Sequence, residues 1–105
     1  MKFEELLEKN AITDTTVLEI IDSNKYDNYL SSDDPTWKQF CDMHIFTVEY
    51  GDLKRSSVYD DCKNLEIVEK YRKEGALVLI VLTSEKMLSK LKNADDPFLI
   101  KSAEM

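Results

Sequence analysis

Seven apolar residues run without a break from Ala76 to Leu82, and Thr83 follows them. Val78, Ile80 and Val81 are β-branched, which favours a pleated backbone, and the run is far shorter than the ~20 residues that span a bilayer. A strand apolar on both sides needs cover on both sides. The pattern therefore predicts a central strand over 76–83 inside a helix-covered sheet.

Ahead of it the spacing changes several times. Phe3, Leu6 and Leu7 recur at threes and fours, predicting a short helix over 2–9 that Asn10 ends in a left-handed conformation. Thr13 is the expected N-cap of a second helix, with Thr16 and Glu19 offering an alternative capping box and Val17, Leu18, Ile20 and Ile21 its buried face. From Asp22 to Asp34 the chain is polar and rich in Asp, Asn and Ser, which predicts a loop or frayed helix. Pro35 suits the first position of a helix capped by Asp34, and Trp37, Phe40, Cys41 and His44 then follow at i, i+3, i+4 and i+7.

His44 to Tyr50 alternates with a period of two, predicting a strand. Gly51-Asp52 reads as a hairpin turn that pairs Glu49 with Lys54 and Ile45 with Val58. Asp60, Asp61 and Asn64 compete to cap a helix that turns Leu65, Val68 and Tyr71 inward and ends at Gly75. A right-handed crossover would then set 53–59 parallel to 76–83. Ser84 caps a last helix with Met87, Leu88 and Leu91 inside; Asp95-Asp96-Pro97 breaks it, and Phe98 to Ile100 adds an edge strand or docks on the core. Asp-Asp-Pro occurs twice, at 33–35 and 95–97, which is too short to be a repeat. The fold expected is α/β, with α+β as its variant: N-terminal helices, a β-hairpin, then helix–strand–helix, giving a small mixed sheet of three or four strands with helical cover. Residues 1–105 form one domain.

Charge narrows the function. The net charge is −7, and residues 1–62 hold 14 acidic against 6 basic side chains. Such a surface repels phosphate backbones and attracts basic proteins. Met1 to Asn10 lacks the apolar centre of a secretory signal, and Cys41 and Cys62 form no framework of staples, so a reduced, cytoplasmic setting is expected, with no membrane contact.

Chemistry is sparse. Cys41 and His44 are the one nucleophile–base pair in reach of each other, yet the same residues complete the apolar stripe. One histidine and two cysteines 21 positions apart do not make a zinc spacing, and the pairs Asp33-Asp34, Asp60-Asp61 and Asp95-Asp96 read as caps and turns. The two glycines, Gly51 and Gly75, fit neither phosphate-loop pattern. No cofactor or metal is expected. The surface that draws attention is 22–37, where Tyr26, Asp27, Tyr29, Asp33, Asp34 and Trp37 combine aromatic area with carboxylate steering.

The leading expectation is a small acidic, non-enzymatic protein-binding module of the inhibitor, immunity or phage anti-defence kind, masking a basic nucleic-acid-binding surface of a partner. The alternatives are a small cytosolic thiol enzyme or redox protein using Cys41, and a structural or assembly subunit that self-associates through its hairpin edge.

Overall fold

The computed structural model describes residues 1–9 and 11–102; the expected cap at Asn10 lies outside them. In chain order the elements are α1 (Phe3–Lys9), β1 (Val17–Asp22), α2 (Ser23–Leu30), α3 (Trp37–Met43), β2 (His44–Glu49), α4 (Tyr50–Lys54), α5 (Tyr59–Lys63), β3 (Glu66–Lys73), β4 (Ala76–Leu82) and α6 (Glu85–Lys92). The strands form one mixed sheet in the order β2-β1-β4-β3. β4 lies parallel to β1 and antiparallel to β3, while β1 and β2 are antiparallel. The α/β class and the four-stranded mixed sheet are those expected, and the apolar run is an interior strand.

That run is buried on both faces. Leu77, Leu79 and Val81 join the larger core beneath the sheet with Phe3 and Leu6 of α1, Leu53 of α4, Cys62 of α5 and Leu91 of α6. Val78 and Ile80 face the other way, with Ile21 and Met43, under Tyr26, Tyr29 and Phe40 of α2 and α3. α6 starts as its sequence signals: the Ser84 hydroxyl accepts the Met87 N–H at 3.0 Å. Among the described residues no helix is long and apolar enough to cross a membrane.

Three local expectations are overturned. Residues 17–22 are the strand β1, not a helix. Their β-branched Val17, Ile20 and Ile21 are satisfied by neighbours far along the chain, Val17 opposite both Glu49 and Ala76. Thr13 builds a turn instead of a cap, its N–H donating to Thr16 Oγ1 at 3.0 Å.

The Gly51-Asp52 hairpin does not exist, and with it go the Glu49–Lys54 and Ile45–Val58 pairs and the parallel strand at 53–59; that stretch holds α4 and α5. Gly51 serves close approach. Its N–H donates to Asp14 O at 2.9 Å, and a Cβ there would stand 3.0 Å from Asp14 Cβ.

Finally, 66–73 is the strand β3, not a helix ending at Gly75. Glu74 (φ 42°) and Gly75 (φ 86°) form the two-residue turn that hairpins β3 onto β4 and sets Lys73 opposite Ala76. Positive φ at both central residues matches the right-handed twist of the flanking strands. Val68 and Tyr71, expected inside, are exposed.

Both sheet edges are partly closed. Ile100 exchanges two backbone hydrogen bonds with Thr47 of β2 (2.8 and 2.9 Å), which realises the edge pairing expected of 98–100. On β3 the Ile67 N–H donates to Met1 O at 2.8 Å, and the chain's amino terminus donates back to Ile67 O at 3.2 Å.

Candidate functional site

The layer above the sheet begins where β1 ends. Asp22 is buried, 1% exposed, at that strand end. Its carboxylate accepts the Lys25 N–H at 3.1 Å, capping α2, and also accepts the Thr83 hydroxyl at the end of β4. One buried side chain thus ties together the ends of the two parallel strands and starts the helix that crosses them. The polar stretch after it is helical because this cap supplies what its composition withholds.

α2 contains no buried residue. Tyr26 and Tyr29 are half-buried and pack down on Ile21, Met43, Val78 and Ile80. Burial, followed by the nearby Tyr26 and Glu19, raises the pKa of Tyr71 on the neighbouring strand. Asp27, Asp33 and Asp34 are exposed. α3 starts two residues after Pro35, and its cap is Thr36, not Asp34: Gln39 N–H donates to Thr36 Oγ1 (3.2 Å) and Thr36 N–H donates to Gln39 Oε1 (2.8 Å). This reciprocal box leaves Asp33 and Asp34 with no capping duty.

Trp37 stands at the head of α3, 53% exposed, and Leu30 at the tail of α2 is 61% exposed. The sequence reading passed over Leu30, whose signal was being the single aliphatic residue in the polar stretch 22–36. The apolar stripe of α3 is realised as a column of rings. Trp37 stacks on Phe40 (5.1 Å, 16°) and Phe40 on His44 (5.4 Å, 15°), running from solvent into the protein. The six expected patch residues therefore divide: the two tyrosines anchor the layer, and Asp27, Asp33, Asp34 and Trp37 face outward, joined by Leu30. Lys25 and Asp42 line one shallow pocket with Tyr29, and Lys38 follows Trp37 in α3.

At the inner end of the column, His44 is 6% exposed and fully engaged. Its Nε2 lies 2.8 Å from Thr47 Oγ1 and its Nδ1 2.8 Å from Ser102 Oγ. Burial first, then the charges of Lys92 and Lys73, lowers its pKa to about 4, so the ring is neutral at pH 7. Cys41 lines the same pocket, but the nitrogens of His44 are spent on hydroxyls and not on the thiol. Cys41 and Cys62 are both free and buried. Burial, reinforced by Asp61, pushes the Cys62 thiol up to about 12, far from the thiolate that nucleophilic chemistry uses.

Of the remaining acidic pairs, Asp60, Asp61 and Asp96 have partners within the fold. Asp60 meets Lys63 at 3.1 Å and Asp61 meets Lys90 at 2.8 Å. Asp96 accepts both the N–H and the hydroxyl of Ser57, at 3.2 and 2.6 Å. A cleft of 330 Å³ beside α4 is lined by Glu49 and by two ion pairs, Lys54 with Asp14 at 2.6 Å and Arg55 with Asp52. Among the described residues no group of three or more His, Cys, Asp or Glu side chains is arranged to hold a metal ion. No family model, curated protein or solved structure matches this chain.

Proposed function

We propose that this chain is a non-enzymatic protein-binding module whose α2–α3 layer occupies a basic, nucleic-acid-binding surface of a partner, in the manner of inhibitor, immunity and anti-defence proteins. One observation carries the reading: Leu30 and Trp37 are exposed on a helical layer whose uncommitted carboxylates, Asp27, Asp33 and Asp34, are exposed with them. Large apolar side chains supply the desolvated centre of such an interface, and carboxylates stand where phosphates would otherwise sit. Trp37 adds rigidity, since its stacking on Phe40 fixes the ring before a partner arrives. The net charge of −7 adds long-range attraction to a basic surface. We further propose a cytoplasmic location, a reducing setting that suits two free buried thiols.

The test uses a partner captured with the full-length chain from its native cell. Asp27→Asn, Asp33→Asn and Asp34→Asn together should weaken that complex about tenfold or more and flatten its dependence on salt, mainly through slower association. Equal affinity and an equal salt slope in the triple variant would remove the acidic patch from the mechanism.

A further inference from the structure

A second site lies at the far end of α3 from Trp37 and does not rest on the reading of the α2–α3 patch. A pocket of 170 Å³ opens between the end of α3, the start of β2, α6 and residues 101–102, lined chiefly by Cys41, Asp42, His44, Lys92, Lys101 and Ser102. At ~30 Å³ for each water it has room for about five or six, enough for a tetrahedral oxyanion.

Its two lysines are half-buried and hold helix ends. Lys92 Nζ donates to the carbonyl oxygens of Asp42 (2.7 Å) and Cys41 (3.4 Å). Lys101 Nζ donates to those of Lys92 (2.7 Å) and Ala94. An ammonium has three N–H donors, so each keeps one in hand. Against these two ammonium groups stand the two helix C-termini, about half a negative charge each, and the Asp42 side chain, which also lines the pocket. No carboxylate among the described residues lies within ion-pair distance of either ammonium. Asp42 contributes its backbone carbonyl to Lys92, and the Ser102 hydroxyl stands at the same wall against His44. The charge of Lys92 also contributes to the lowered pKa of His44, after burial. In a chain of net charge −7, two ammonium groups thus share one pocket.

We propose that this pocket receives a phosphate group, held by Lys92 Nζ, Lys101 Nζ and the Ser102 hydroxyl without a glycine-rich loop, in the tautomer whose Nδ1–H on His44 donates to Ser102 Oγ and leaves the hydroxyl proton for the anion. Three donors, one from the end of α6 and two from residues 101–102, suit an anion with three or more acceptor oxygens better than a carboxylate with two. The same chemistry describes free phosphate and a phosphate monoester.

The single histidine of the chain makes the test direct. Ring proton resonances of His44 are followed at pH 7 in the full chain during titration with inorganic phosphate, glycerol phosphate or acetate at matched ionic strength. A saturable shift is expected with a phosphate compound and not with acetate. Saturation by the inorganic ion alone identifies free phosphate as the ligand, whereas saturation by the ester identifies a phosphorylated molecule. Lys92→Gln and Lys101→Gln keep an N–H for the helix carbonyls but lose the charge, so each should weaken binding at least tenfold, and Lys→Arg at either position should restore it. An unmoved resonance, a response shared by acetate, or a folded Gln variant that binds phosphate as tightly as the wild type overturns the proposal. If a Gln variant fails to fold, the comparison of phosphate with acetate on the wild-type chain still decides.

Discussion

Four helices back one face of the sheet and two back the other. Among the described residues the first face buries nineteen side chains in one hydrophobic cluster, including Phe46, Leu79 and Leu91, whereas the hydrophobic cluster of the second has four buried members, Ile21, Met43, Val78 and Ile80. The second layer is held by half-buried rings, by one buried carboxylate at Asp22 and by the box at Thr36. It also carries the exposed Leu30 and Trp37. A layer that spends few apolar residues inward has apolar residues to spend outward. The difference separates the part that holds the fold from the layer that the proposed function assigns to a partner.

Substitutions can break this contrast, beginning with the largest effect. Leu79 is fully buried in the deep core, and Leu79→Ala should cost about 3 kcal/mol or more in denaturant unfolding, a large share of a small domain's stability. A loss below about 1 kcal/mol would show that the lower face is not the main store of stability.

Acid should act next, through His44. Its pKa is about 4 folded against 6.5 as the ordinary value, so the neutral ring favours the folded state. That contribution is whole above pH 6.5 and drains away as pH falls toward 4. Allowing for screening, it amounts to about 2 kcal/mol. His44→Gln should remove this part of the pH dependence, and a stability curve of the same shape in both proteins would refute the assignment.

The cap of α3 sharpens the comparison at smaller cost. Thr36→Ala should lose about 1 kcal/mol and Asp34→Ala less than about 0.5 kcal/mol, because Thr36 and not Asp34 closes the helix. The reverse order in thermal melts would restore the sequence-based cap. Trp37→Ala should also cost little stability, about 1 kcal/mol or less from lost stacking. The same change should weaken the partner complex by about 2 kcal/mol, and a variant that binds normally would exclude Trp37 as an anchor.

Where a local signal and its tertiary environment agree, the chain is readable: the run at 76–82, α1, β2 and the Ser84 cap all follow from residues a few positions apart. β1 is the instructive miss. Its apolar residues fit a helical face as well as a strand, and the neighbours that decide the matter are residues 44–49 and 76–81. In β3, acids preceding bases imitate a helix, and only the Glu74-Gly75 turn shows that the segment must fold back on β4. The outward carboxylates and Trp37 were legible because exposed polar stretches advertise themselves. Ser102 against His44 was not, since 58 positions separate them and neither carries a motif.

The column Trp37–Phe40–His44 has a practical consequence. It contains the only tryptophan and the only histidine of the chain, one at the solvent end and one at the buried end. Indole emission therefore reports on the outer surface and imidazole resonances on the pocket, with no label added. Two unmodified spectroscopic channels sit about two ring spacings apart, so a single sample can tell whether an event at one end of the column is felt at the other.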